Sequence, residues 1–132
     1  MTVLFLCRQN AGRSQMAQAF FERLAPADHV GVSGGSAPAA AVHPGVVQVM
    51  REVGIDLSAA RPQRLTVELA QTAGLLVTMG CGESCPFIPG LERLDWPIAD
   101  PKGQPTERVR EIRNEIRARV RHLVGSRSWS RR

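Results

Sequence analysis

The chain has 132 residues, 43% of them apolar and 22% charged, with a formal net charge of +5. This length and composition predict one globular domain and leave no room for a second, and the chain shows neither the apolar run of a membrane span nor the pattern of a signal peptide. The charge is uneven, because residues 101–132 carry a balance of +7 and residues 1–100 a balance of −2.

Strand-like and helical patterns alternate along the chain. Short apolar runs predict strands over residues 2–6, 30–33 and 75–78, and a weaker one over 92–96. Apolar residues spaced three and four apart, together with capping signals, predict helices over 15–24, 44–53, 66–73 and 106–124.

This order of elements predicts an α/β fold. We expect a single domain over residues 1–124, with a small four-stranded parallel sheet flanked by helices on both faces. Residues 125–132 are expected to form a flexible carboxyl-terminal tail.

The last predicted helix carries most of the arginines. Its apolar residues fall on one stripe, and most of its arginines, including Arg110 and Arg113, are expected on the other faces, near glutamates placed for ion pairs. A solvated amphipathic helix is therefore favoured over a nucleic-acid surface.

The loop after the first strand carries the strongest chemical signal. It reads CRQNAGRS over residues 7–14 and lies between a strand and a helix amino terminus. Backbone N–H groups in such a loop converge on one point, and the helix dipole adds positive potential, so the loop can bind a tetrahedral oxyanion. The predicted oxyanion-binding residues are Arg8, Gln9, Asn10, Ala11, Gly12, Arg13 and Ser14.

Three of these residues and Cys7 have individual roles. The same positive field should favour the thiolate of Cys7, which makes it a nucleophile. Arg13 can hold two oxygens with its planar fork, and the Ser14 hydroxyl can donate to the sulfur. Asn10 can adopt a left-handed backbone conformation within the loop.

Three cysteines in one small domain require an explanation. An odd number in a protein of the reducing cytoplasm, where we expect this chain, favours reactive or metal-binding thiols over structural disulfides. Cys81 and Cys85 follow the third strand in the stretch MGCGESCP. A redox pair is favoured, since a disulfide could close across this spacing, while a zinc site and two inert thiols remain open alternatives.

A carboxylate precedes the final helix in the sequence Asp-Pro-Lys-Gly. Asp100 can protonate an oxygen that leaves as the sulfur attacks, whereas Asp95 is the nearest competing carboxylate. An aspartate before proline is also common in turns without any catalytic role.

The loop CRQNAGRS resembles the catalytic loop of low-molecular-weight protein tyrosine phosphatases and of the arsenate reductases that share their fold. The resemblance to thioredoxin-coupled arsenate reductases spans residues 3–123 and includes the stretches HPGVVQVMREVGIDLS, VTMGCGESCPFIPG and LDWPIADPKGQ. Phosphatases of this fold usually have proline where this chain has Gln15, and they carry tyrosines after Asp-Pro, whereas this chain has no tyrosine.

The resemblance implies a relay of three thiols. Cys7 would attack arsenate while Asp100 protonates the departing oxygen, Cys81 would then attack Cys7 and release arsenite, and Cys85 would resolve the Cys7–Cys81 disulfide. Thioredoxin or a related thiol donor would reduce the Cys81–Cys85 bond.

Phosphate and sulfate would compete with arsenate for the loop. A phosphatase acting on phosphate monoesters, or a reductase using a low-molecular-weight thiol with a glutaredoxin-type donor, are the alternatives.

The resemblance also bears on cofactors. Some relatives bind potassium beside the loop; Asn10 and Ser33 match two of the ligands, but Gln18 stands where those relatives have glutamate, which puts a structural potassium in doubt. We expect no tightly bound cofactor or metal, no nucleic-acid or membrane partner, and a monomer. No function is assigned from the sequence to His29, His43 or His122.

Overall fold

The computed structural model describes residues 1–80 and 88–129. Their elements are β1 (Thr2–Cys7), α1 (Arg13–Leu24), β2 (Val30–Gly35), α2 (Pro44–Arg51), α3 (Val67–Thr72), β3 (Leu75–Thr78), β4 (Glu92–Asp95) and α4 (Thr106–Ser126). The four strands are parallel and form one sheet in the order β2-β1-β3-β4. The predicted α/β fold with a four-stranded parallel sheet is confirmed.

Helices cover both faces of the sheet, as predicted. On one face, a large buried cluster joins β1 and β3 to α1, α2 and α4 through residues such as Phe5, Phe21 and Ile116. On the other face, Leu4, Leu6 and Leu76 form a smaller cluster against Leu69 of α3 and its neighbours. The strand order reverses at β1, because β2 lies on one side of it and β3 and β4 lie on the other. Open parallel sheets form a crevice at such a point, beyond the carboxyl ends of the strands.

Arg113 on α4 corrects the prediction that this arginine lies on a solvated face. Its side chain is only 9% exposed, and Nη1 donates to the carbonyl oxygen of Val49 at 2.7 Å and to Glu52 Oε1 at 2.8 Å. The carbonyls at the end of α2 lack helical partners, and a guanidinium at the α2–α4 contact provides the donor. The apolar stripe of α4 is buried as predicted.

The last helix extends further than the sequence predicts. Helix α4 continues to Ser126, two residues beyond the predicted end, and Trp129 packs at the edge of the core. The Trp129 ring stacks on His29 with centroids 4.5 Å apart and meets Phe21 edge-on at 6.1 Å. The indole of Trp129 buries apolar surface that holds this residue against the core. Among the described residues, no helix is long and apolar enough to cross a bilayer.

Glu52 joins the end of α2 to α4, and its replacement tests this contact. Hydrogen bonds from Arg110, with a smaller contribution from Arg113, lower the pKa of Glu52 from 4.5 to about 2. A carboxylate with a lowered pKa stabilises the folded state above its unfolded pKa, and the stabilisation disappears as the pH falls through the folded value. Glu52→Gln should therefore lower the thermal midpoint at pH 7, and the difference from wild type should shrink as the pH falls from 4.5 towards 2.

Thermal unfolding, followed by circular dichroism from pH 7 to pH 2, measures the difference in midpoint between Glu52→Gln and the wild type. Glu68→Gln, at an exposed carboxylate on the short helix α3, is the matched control and should leave the midpoint near the wild-type value. A Glu52→Gln difference that stays constant from pH 7 to pH 2 would contradict a role for the charged hydrogen bonds.

Candidate active site

The candidate site lies at the carboxyl end of β1, the second strand in the sheet order. Cys7 is the last residue of β1 and is 2% exposed. The chain then turns through residues 8–12 and enters α1 at Arg13, two residues before the predicted helix start. Gly12 occupies the amino-terminal cap and gives no side-chain hydrogen bond, so no capping side chain satisfies the first N–H groups of α1. These donors and the helix dipole make the position suitable for an anion.

Ser14 connects the thiol to the loop. The Cys7 Sγ and Ser14 Oγ atoms are 2.8 Å apart, and Asn10 Nδ2 donates to Ser14 Oγ at 2.7 Å. Since the hydroxyl oxygen accepts from Asn10, its own proton is free to point at the sulfur. Ser14 is thus placed to donate a hydrogen bond to the Cys7 sulfur, which is the contact that the sequence predicted.

Asn10 is held in the left-handed conformation that the sequence predicted. Its φ is 50°, and its side-chain oxygen accepts from the backbone N–H of Gln63 at 2.9 Å and from Gln15 Nε2 at 3.2 Å. Gln15 Nε2 also lies 3.1 Å from the Asn10 carbonyl oxygen and 3.3 Å from that of Arg61. The sequence carries no signal for this bracing role of Gln15 and Gln63, because the role depends on a segment that is distant in the chain.

The side-chain oxygens of Asn10 and Gln18 lie where a structural potassium ion would be expected to bind. Asn10 Oδ1 already accepts from two N–H donors, and Gln18 Oε1 accepts the Ser33 hydroxyl at 2.5 Å. These oxygens therefore already bond to N–H and O–H donors of the protein, and a potassium ion at this place would have to displace or share those bonds. Within residues 1–80 and 88–129 there is also no cluster of three or more His, Cys, Asp or Glu side chains that could hold a metal.

Arg13 lies under the turn that precedes α4. Its Nη1 donates to the carbonyl oxygen of Ile98 at 3.0 Å, and its Nη2 is 3.7 Å from Asp100 Oδ2. The side chain is 8% exposed, so the charge is largely shielded from water. These two contacts fix the guanidinium while other N–H groups stay available for an oxyanion.

Asp100 is the carboxylate that the fold brings to Arg13. Pro101 packs directly on Gly12, where an added Cβ would lie 2.8 Å from Pro101 Cγ, so the turn rests on the loop. The backbone N–H of Lys102 donates to Asp100 Oδ1 at 3.0 Å and orients the carboxyl group. Asp95, the competing candidate, bonds instead to Thr78 and Arg93.

His43 lies beside the same turn. Its Cδ2 would be 3.6 Å from a Cβ built on Gly12, and its backbone N–H donates to the carbonyl oxygen of Ala11 at 2.9 Å. Burial lowers the pKa of His43; the charge of Asp100 opposes this effect, while the charges of Lys102 and Arg13 add to it. His43 is therefore a neutral neighbour of the site at pH 7. The other two histidines lie elsewhere, His29 against Trp129 and His122 in a groove with Trp96.

The remaining predicted residues lie as follows. Ala11 and Gly12 are buried, Gln9 is half-buried, and Arg8 is exposed, so the Arg8 side chain lies at the surface beside the loop. Cys81 and Cys85 lie outside the described residues, and their role as a redox pair stays a prediction. The structure thus brings together Cys7, Asn10, Arg13, Ser14 and Asp100.

Comparison with known proteins identifies the family. Residues 2–129 match the family model described as low molecular weight phosphotyrosine protein phosphatase. The chain belongs to this family.

The relatives of this family member include several arsenate reductases. The glutaredoxin arsenate reductase of Synechocystis is 32% identical over 92% of this chain and 95% of its own length. Among solved structures, a thioredoxin-dependent arsenate reductase from Corynebacterium glutamicum matches 95% of this chain with a TM-score of 0.82 and 39% identity, and this chain spans 60% of the length of that protein. An arsenate reductase from Archaeoglobus fulgidus gives a TM-score of 0.79 and 30% identity over 93% of this chain and 98% of its own.

Proposed function

We propose that this member of the low-molecular-weight phosphatase family reduces arsenate to arsenite with its own thiols. The observation that carries the proposal is the Cys7–Ser14 contact of 2.8 Å, at the base of a loop that Arg13 and Asp100 face. This arrangement provides a nucleophile, an anion site and a proton donor within one crevice. The arsenate reductases among the relatives support the choice of substrate.

The first step forms a covalent adduct. Arsenate binds the N–H groups of residues 8–14, with Arg13 on its oxygens, and the Cys7 thiolate attacks arsenic. One As–OH bond breaks as the S–As bond forms, and the protonated Asp100 carboxyl gives the departing hydroxyl a second proton, so that water leaves. The product is a Cys7 adduct of As(V), and no electrons have yet been transferred to arsenic.

The second step transfers two electrons. The Cys81 thiolate attacks Cys7 Sγ, the S–As bond breaks, and its electron pair stays on arsenic, which becomes As(III) and leaves as arsenite. Cys85 then attacks the Cys81 sulfur, frees Cys7 and leaves a Cys81–Cys85 disulfide. A dithiol protein of the thioredoxin type returns two electrons to this disulfide. Such a cycle requires thiols that are reduced at rest, as in the cytoplasm, where we place the protein.

Serine variants of the two other cysteines test the relay. Cys81→Ser should form the Cys7 adduct without releasing arsenite, while Cys85→Ser should release about one arsenite per chain and stop as a Cys7–Cys81 disulfide. Rapid-quench assays of arsenite and mass spectrometry of the trapped protein measure both outcomes. Normal multiple turnover of either variant with thioredoxin would contradict the relay.

A phosphatase acting on phosphate monoesters is the second candidate, because the family model itself is named for phosphotyrosine phosphatases. One observation disfavours phosphotyrosine as the substrate: Asp100 and Pro101 are followed by exposed Lys102, Gly103 and Gln104, so this turn provides no aromatic wall for a phenyl ring. An aryl phosphate should therefore be hydrolysed slowly. A catalytic efficiency for that ester well above the one for arsenate would reverse the ranking.

Asp100→Asn should slow the chemical step and leave anion binding largely intact. General acid catalysis contributes roughly 10²–10⁴-fold, so kcat for arsenate should fall by about 10²-fold or more. The dissociation constant for phosphate should change little in comparison, because Arg13 keeps its hydrogen bond to Ile98.

Asp95→Asn is the matched control for this prediction, since Asp95 bonds to Thr78 and Arg93, away from Arg13. It should retain kcat near the wild-type value. Equal losses in the two asparagine variants would refute Asp100 as the acid.

A further inference from the structure

Gly80 is in direct contact with the guanidinium of Arg13. It lies two residues past β3, immediately before Cys81, and its backbone has φ of +77°. A Cβ built on Gly80 would lie 2.1 Å from Arg13 Nη1, 3.2 Å from Arg13 Cζ and 3.6 Å from the carbonyl oxygen of Ile98. The Nη1 end of the guanidinium therefore occupies the space that any side chain at position 80 would need.

Position 80 requires glycine because of the contact with Arg13 and not only because of the left-handed backbone. Gly90 has the same conformation, with φ of +80°, but a Cβ on Gly90 would meet nothing within 4 Å. At Gly80 the obstructing atom is the end of a long side chain, which can move at little cost to folding. A methyl group at position 80 would thus displace the Arg13 guanidinium from Ile98 and Asp100 and leave the fold in place.

We propose that Gly80 is a positioning residue for oxyanion binding: by having no side chain, it lets Arg13 occupy the place from which it holds the anion. The proposal rests on the function proposed above, since it takes Arg13 as the ligand of arsenate. It also places the backbone directly before Cys81 in contact with the group that holds the substrate. Gly80 acts through Arg13 and contributes no side chain to the reaction.

Anion affinity, measured without any redox step, tests this role. The probe is inorganic phosphate, and its dissociation constant is obtained from the protection of Cys7 against iodoacetamide in a Cys81→Ser/Cys85→Ser background. Gly80→Ala should weaken phosphate binding by about tenfold or more, the equivalent of losing one charged hydrogen bond. Gly90→Ala has the same backbone conformation without the contact and should bind phosphate like the parent protein.

A double-mutant cycle separates displacement of Arg13 from general damage to the loop. In an Arg13→Ala background the space beside Gly80 is open, so Gly80→Ala should cause no further loss of phosphate affinity. The thermal midpoint provides a second measurement: if Gly80→Ala unfolds earlier than Gly90→Ala, adding Arg13→Ala should restore the midpoint.

Three results would overturn the role of Gly80: parent-like affinity of Gly80→Ala, the same loss in both Arg13 backgrounds, or a lowered midpoint that Arg13→Ala does not restore. A different result would show that the proposed arsenate reductase function is wrong. A wild-type protein that binds phosphate but never reduces arsenate would refute the reductase and leave the Gly80 comparison valid, whereas a wild type that binds no phosphate would refute both.

Discussion

Replacing Cys7 with serine is expected to abolish arsenate reduction. The serine oxygen fits the buried position at the end of β1, but an alkoxide is far less accessible than a thiolate at neutral pH, and oxygen cannot form the disulfide that the second step needs. Neither the arsenic adduct nor arsenite should form. Mass spectrometry of the protein and chromatography of arsenic species measure the two products.

Cys85→Ser is the control for the Cys7→Ser variant. It makes the same sulfur-to-oxygen change but should still release about one arsenite per chain in a single cycle. Thermal midpoints and phosphate binding near the wild-type values would show that Cys7→Ser retains the loop. Any arsenate-dependent turnover by Cys7→Ser would mean that another group is the nucleophile.

Arg13→Ala is expected to cause a large loss of arsenate reductase activity. The buried guanidinium holds one hydrogen bond to Ile98 and faces the loop, so its removal takes away both a charge and paired donors from the anion. Loss of one such preorganised group costs roughly 10²–10³-fold in rate, and kcat/KM for arsenate should fall by about that factor. Steady-state kinetics with arsenate measure it, and phosphate inhibition should weaken in parallel.

Arg23→Ala on the same helix is the matched control for Arg13→Ala. Arg23 donates to the carbonyl oxygens of Val53 and Gly54, at the far end of α1 from the loop, and its removal should leave kcat/KM near the wild-type value. A loss in Arg23→Ala as large as that in Arg13→Ala would show that charge in general, and not the position of Arg13, controls the rate.

The sequence predicted those parts of the site that depend on neighbouring elements in the chain. A strand, a polar loop and a helix in succession place Cys7 beneath the amino terminus of α1, and the side chain of asparagine suits the left-handed turn at residue 10. The Asp-Pro turn was also predicted, although its contact with Arg13 required the structure. The element boundaries were correct to within about two residues.

Contacts between distant segments could not be predicted in the same way. Gln15 and Gln63 brace Asn10 from two sides, yet their pattern in the sequence carries no signal of a shared partner. Arg113 was assigned to a solvated face because helical periodicity describes one element alone, whereas its burial depends on the end of α2. The closeness of Gly80 to Arg13 likewise appears only when β3 and α1 are placed together.

The most direct test of arsenate reduction is NADPH oxidation with thioredoxin and thioredoxin reductase, started by adding arsenate. The wild type should consume one NADPH per arsenite over many cycles, and the Cys81→Ser and Cys85→Ser variants should stop within one. A parallel assay with glutathione and glutaredoxin identifies the preferred donor. Arsenate-independent NADPH oxidation, or sustained arsenite production by chains that lack Cys81 and Cys85, would contradict the thiol relay.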